Sequence, residues 1–152
     1  MLHQLKVAWG DYLRPMLRRP KRLQVAALCH RDHGEARRVL LVTSRDTGRW
    51  ILPKGWPIPG LDAPGSALQE AWEEAGVRSG RAEDTAIGTY TYEKGLDGGW
   101  SVPVETLVFP VAVERMAEDY PEVDQRERRW VTPAEAAEMV DEPELKAILR
   151  DF

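Results

Sequence analysis

The chain has 152 residues, of which 43% are hydrophobic and 30% charged, and a formal net charge of −4. That length can bury a substantial core in a single domain spanning residues 1–152, and no apolar run approaches the ~20 residues of a membrane span. A lone cysteine, Cys29, excludes an internal disulfide. With no apolar block and small-residue cleavage site near the start, a cytoplasmic setting is expected.

In chain order, residues 1–17 place Leu2, Leu5, Trp9, Leu13 and Met16 at helix-like spacing, interrupted by Pro15, so a short amphipathic segment is expected there. RLQVAALCHR and RRVLLVTSR then read as paired strands around the polar turn RDHGEA, and RWILPKG as a third strand ended by Pro53 and Gly55. The stretch from Leu52 to Val77, LPKGWPIPGLDAPGSALQEAWEEAGV, is a Gly/Pro-rich loop followed by a helix. Asp62 is the expected N-cap, Pro64 falls in the first turn, and Gly76 supplies the stop. AIGTYTYEKG and VPVETLVFPVAVERM are β-rich around the hairpin loop GLDGGW, and RERRWV is a final strand. TPAEAAEMV starts with a capping pattern on Thr132, Pro133 and Glu135, and EPELKAILRDF closes the chain amphipathically. Strands with a central helix and one or two terminal helices predict a layered α+β fold, an α/β/α sandwich.

Two features of this pattern bear on chemistry. Residues 1–54 carry 12 Lys and Arg against 4 Asp and Glu, whereas the remainder carries 9 against 21. A basic front beside an acidic back suits a site that holds a polyanion against metal-binding carboxylates. On the central helix, at about 100° per residue, Leu68, Ala71, Trp72 and Ala75 gather on one side and Glu70, Glu73 and Glu74 on the other. Crowded carboxylates repel by a few tenths of a kcal/mol per pair unless a cation relieves them. Oxygen-rich clusters of this kind suit Mg²⁺ or Mn²⁺, with water and substrate phosphates completing the shell.

Gly55, a long loop, then Glu70, Glu73, Glu74, Gly76 and Val77 resemble the Nudix box at its characteristic spacing. Two positions depart from it: Leu61 stands where the family usually has Glu, with Asp62 beside it as a stand-in, and Gln69 stands where it has Arg. The resemblance extends over Arg18 to Val140. The stretch KRLQVAALCHR to RWILPKG is similar to the Nudix branch that cleaves diphosphoinositol polyphosphates, as is ERRWVTPAEAAEMV. The His-Arg-Thr turn of that branch is not visible, and LPKG also resembles the diadenosine-polyphosphate hydrolases. The resemblance implies the Nudix fold: a mixed sheet with the box helix on one face and the terminal helices on the other.

It also implies a metal-dependent pyrophosphohydrolase, with Glu70, Glu73 and Glu74 as ligands of Mg²⁺ or Mn²⁺ and Glu73 as the catalytic base; Glu105 and Glu127 are reserve bases outside the box. Substrate phosphates fall to Arg22, Thr43, Ser44, Arg45, Lys54 and the Gly55 backbone; Arg126 is a further substrate-binding candidate over the far edge, with a structural role as its alternative reading. Trp50 and Trp72 are expected in the core, whereas Trp56 and Trp100, in loops, are free to touch a ligand. The expected substrate is a diphosphoinositol polyphosphate or another highly phosphorylated small molecule, with a dinucleoside polyphosphate as the alternative. Leu61 and Gln69 keep open a weakly catalytic ligand-binding module. No nucleic-acid or membrane partner is expected, and monomer and homodimer both remain open.

Overall fold

β1 (Arg22–His33) and β2 (Ala36–Thr43) are buried on both faces, which is why they read as unbroken apolar runs. Successive side chains point to opposite sides, so Val25, Ala27 and Cys29 enter one core while Ala26 and Leu28 enter another. This computed structural model describes residues 22–96 and 98–152. The amphipathic reading of residues 1–17 lies outside the described residues.

The remaining strands are β3 (Trp50–Ile51), β4 (Lys54–Gly55), β5 (Val77–Ala82), β6 (Gly88–Gly95), β7 (Ser101–Met116) and β8 (Arg128–Val131). Together they form an eight-stranded mixed sheet with the order β3-β2-β1-β7-β5; β4 joins β1, β6 joins β7 and β8 joins β2. The central β1–β7 pair is parallel, from Arg22 beside Val104 to His30 beside Ala112. β5 has no counterpart in the sequence reading. Its sequence, VRSGRA, lacks an apolar alternation, and it pairs with β7 through two register shifts.

Among the described residues, three helices cover the sheet: α1 (Ala63–Ala75), α2 (Pro133–Met139) and α3 (Pro143–Asp151). α1 packs on the face carrying Val25, Ala27, Leu40, Val42 and Phe109, while α2 and α3 cover Ala26, Leu28, Val39, Leu41 and Tyr90. The expected sandwich is therefore present. Thr132 caps α2 through a reciprocal capping box with Glu135. Cys29 is fully buried, and burial pushes its thiol up to about 12, so it is inert core.

α1 begins and ends where its sequence signals lie. Asp62 Oδ1 accepts a hydrogen bond from the Gly65 amide at 2.8 Å. Gly76 adopts φ 73° and returns its amide to the Ala71 and Trp72 carbonyls. The buried stripe differs from expectation: it is Ala67, Ala71 and Ala75, with Leu68 packed at its edge. Spaced four residues apart, these small side chains let α1 lie close on the sheet. Trp72 is too large for that contact and sits half-buried beside Leu61 and Leu68, outside the core. At Gly76, an added Cβ would meet the Tyr120 ring and the Arg128 guanidinium in a left-handed conformation. Gly76→Ala is expected to destabilise the fold by about 1–3 kcal/mol in urea unfolding. An unchanged midpoint would contradict that conformational role.

Candidate active site

β4 is pinned to the middle of β1, with Gly55 opposite Val25 and Lys54 opposite Ala26. The Ala27 amide donates to the Pro53 carbonyl at 2.9 Å, which fixes the turn before it. α1 crosses directly above. Gly55 has no side chain where the Glu70 carboxyl group lies; a Cβ there would overlap it. That fit gives a physical reason for a Gly followed by a Glu fifteen positions on.

Glu74 turns inward rather than joining a solvated acidic face. It is only 5% exposed. Its Oε2 accepts the Lys54 amide at 2.8 Å and its Oε1 accepts Arg126 Nη2 at 2.9 Å. Glu73 remains half-buried and accepts Gln69 Nε2 at 3.2 Å, so Gln69 serves as a neutral brace for Glu73. Burial pushes Glu70 up to about 7, reinforced by Glu74, Glu73 and Glu122 and opposed by Arg126. Burial also raises Glu74 to about 7, outweighing Arg126 and the Lys54 amide. The Lys54 amine moves the other way, to about 8, because burial disfavours its charge; Arg49 and Lys94 add to this and Glu74 opposes it. Its Nζ lies 4.7 Å from the centre of the Tyr92 ring.

These groups line one cavity of about 480 Å³. Ser44, Arg45, Lys54, Gly55 and Arg126 face it together with Glu70, Glu73 and Glu74. Arg22 and Thr43 do not line it. Arg22 is exposed at the start of β1, and the Thr43 hydroxyl is occupied by the Glu127 amide at 2.9 Å. Arg45 is also engaged, donating to Gln125 at 3.0 Å and lying 3.4 Å from Glu122. Arg126 is 7% exposed and bonded to Glu74, Glu122 and the Thr43 carbonyl. It is thus held among acceptors rather than extended over the rim.

Of the reserve acids, neither Glu105 nor Glu127 lines the cavity; Glu105 sits on β7 beside Leu23 and Thr91, and Glu127 is exposed. Glu122 lines it instead, and its amide is tied to the Glu73 carbonyl at 3.0 Å. The sequence offered little to single it out, since it lies in a loop with no periodic pattern. Asp62 is committed to the helix cap, so it does not replace the acid missing at Leu61. Trp56 lines the cavity, whereas Trp100, at 69% exposed, stands away from it. Gln24, Tyr92 and Lys94 are further lining residues that the sequence reading missed. Tyr92 donates its hydroxyl to Gln24 Oε1 at 2.6 Å. Their signal was faint: alternate positions on two strands separated by 68 residues.

Among the described residues, no three Asp, Glu, His or Cys side chains stand close enough to form a ready-made metal cage. Five carboxylates, Asp46, Glu70, Glu73, Glu74 and Glu122, nevertheless share the cavity, and repulsion from Glu74, Glu73 and Glu122 is one cause of the raised Glu70 value. An all-oxygen set of this kind fits a hard divalent cation that keeps several waters and takes further ligands from substrate phosphate. Among the described residues, no helix is long and apolar enough to cross a membrane.

Comparisons with known proteins agree with this architecture. The chain is 31% identical over 126 residues to Nudix hydrolase 21, chloroplastic, of Arabidopsis thaliana, covering 81% of this chain and 61% of that protein. It is 30% identical over 109 residues to diphosphoinositol polyphosphate phosphohydrolase 3-alpha of Mus musculus, covering 70% of this chain and 62% of that protein. The chain thus spans about three fifths of the length of these relatives. The crystal structure of a C. elegans Ap4A hydrolase superposes with a TM-score of 0.65 at 19% identity, covering 87% of this chain and 96% of that one. The NUDIX domain of Shewanella oneidensis NrtR, complexed with ADP ribose, gives 0.62 at 20% identity, covering 94% and 98%. At such identities the likeness concerns the fold. Residues 20–152 match the NUDIX domain, and with the fold and the Gly55-to-Val77 box in place the chain belongs to the Nudix family.

Proposed function

We propose that this chain hydrolyses a diphosphate linked to another moiety, in a reaction that needs Mg²⁺ or Mn²⁺. The observation that carries this reading is the shared cavity, which Glu70, Glu73, Glu74 and Glu122 line together with Lys54, Lys94 and Arg45. Glu70 and Glu74 would hold the ion, with Glu73 beside them. When bound, the ion polarises phosphoryl oxygens and lowers the pKa of coordinated water.

The chain's own groups do the rest. Lys54 and Lys94 attract and orient the phosphates, and the Ser44 hydroxyl adds a neutral donor. Glu73, half-buried where Glu74 is buried, accepts the proton of the attacking water at a carboxylate oxygen. Gln69 keeps it in place through the hydrogen bond to its Oε1.

The substrate we favour is a diphosphoinositol polyphosphate or a similarly phosphorylated small molecule, supported by the mouse relative named for that activity. Trp56 and Tyr92 support a second reading. Aromatic walls suit the base of a dinucleoside polyphosphate, and an inositol ring offers nothing to stack. Phosphate release from inositol pyrophosphates and dinucleoside polyphosphates, with Mg²⁺, with Mn²⁺ and with EDTA, tests both. EDTA is expected to abolish turnover and added metal to restore it. Metal-independent turnover would refute the mechanism, and no turnover on any compound would favour a binding module.

A pH dependence follows for the metal-free protein. Glu70 and Glu74 move from 4.5 to about 7 on folding, so between those values the native state holds more protons than the unfolded chain. Their contribution to stability is complete below about 4.5 and is lost as pH rises through about 7. A divalent cation takes the place of those protons. The Mn²⁺-induced rise in Tm is therefore expected to be larger at about pH 7.5 than at about pH 5, as read by scanning calorimetry. Equal rises would show that these carboxylates do not hold the ion.

A further inference from the structure

We propose that Arg126 is the positioning residue for Glu74, bracing from a distant loop a carboxylate that α1 leaves without a positive partner of its own. The inference rests on the reading of Glu74 as a metal ligand. Within α1, the neutral Gln69 reaches Glu73. Glu74 instead depends on groups 20 and 52 positions away in the chain, the Lys54 amide and Arg126.

The Arg126 fork closes four hydrogen bonds: Nη2 to Glu74 at 2.9 Å and to Glu122 at 3.1 Å, Nε to Glu122 at 3.3 Å, and Nη1 to the Thr43 carbonyl at 3.0 Å. That accounts for four of the five N–H groups a guanidinium carries, so little donor capacity is left to grip a phosphate. One planar group thereby ties together the end of β2, the loop before β8 and the metal-facing helix. The amide of Glu122 on the Glu73 carbonyl docks the same loop a second time. With Oε1 held by Arg126 and Oε2 by the Lys54 amide, the carboxylate plane of Glu74 is fixed at the cavity wall. A lysine could supply the charge, but not this geometry.

The test is Arg126→Gln and Arg126→Lys, read by steady-state kinetics on the best panel substrate and by hydrogen exchange of the Lys54 amide in the metal-free protein. Arg126→Gln is expected to lower kcat by about 10- to 100-fold with KM within about twofold, because misplacement by about 1 Å costs on that order. The Lys54 amide, released from a wandering Glu74, is expected to exchange at least about tenfold faster. Arg126→Lys is expected to give an intermediate kcat at unchanged KM, and it decides the matter alone if the Gln variant does not fold. A loss carried by KM, with kcat and Lys54 exchange unchanged, would mean that Arg126 grips substrate, and the proposal would be overturned. Should no panel compound be hydrolysed, the exchange measurement still stands by itself. Accelerated exchange supports the brace, and unaltered protection overturns it.

Discussion

Glu73→Gln is expected to reduce turnover by about 10²- to 10⁴-fold, the range that a positioned base contributes, with Tm within a few degrees of wild type. The separation of activity from stability follows from the local contacts. Glu73 is half-buried, and its side-chain partner in the structure is Gln69 Nε2, a donor that an amide oxygen satisfies equally well. Glu74→Gln is a different experiment. Both oxygens of Glu74 accept from buried donors, so an amide would turn its NH₂ toward either the Lys54 amide or Arg126 and leave Arg126 without a full counter-charge. Breaking a buried pair by removing one partner costs about 3–5 kcal/mol. Glu74→Gln should therefore lose activity and stability together, and Glu73→Gln activity alone. Turnover by purified, folded Glu73→Gln at the wild-type rate would remove Glu73 from the mechanism.

Gly55→Ala is expected to abolish most activity, by about 100-fold or more, while leaving the metal-free protein as stable as wild type or slightly more so. The backbone at Gly55 is not in the left-handed region, so alanine can adopt its conformation. In a strand, that change commonly gains a few tenths to about 1 kcal/mol by restricting the unfolded chain. The obstacle is the Glu70 carboxyl group, which occupies the space a methyl group would need. A flexible carboxylate end can swing aside at little cost to folding, but it then leaves the position from which it would hold the ion. Thermal melting and phosphate release on the same sample would separate the two effects. Activity within about twofold of wild type would mean that the placement of Glu70 under Gly55 is not needed.

Local signals determined much of this protein from the chain alone. The capping residues Asp62 and Gly76 bound α1, alternation buried β1 and β2 between two layers, and spacing brought Gly55, Glu70, Glu73 and Glu74 to one cavity. These succeed because helix angle and strand alternation are properties of a few consecutive residues. Tertiary structure decided what depends on the path of distant segments. It turned Glu74 inward, brought Glu122 into the cavity in place of Glu105 and Glu127, and committed Arg126 to a carboxylate 52 positions away. It also left Arg22 and Thr43 outside the cavity, set Trp72 at the edge of an alanine stripe, and formed β5 from a segment with no apolar pattern. Periodicity gives the direction of a side chain about its own axis, but burial and partners come from whatever segment folds back against it, and here that segment is the loop between β7 and β8.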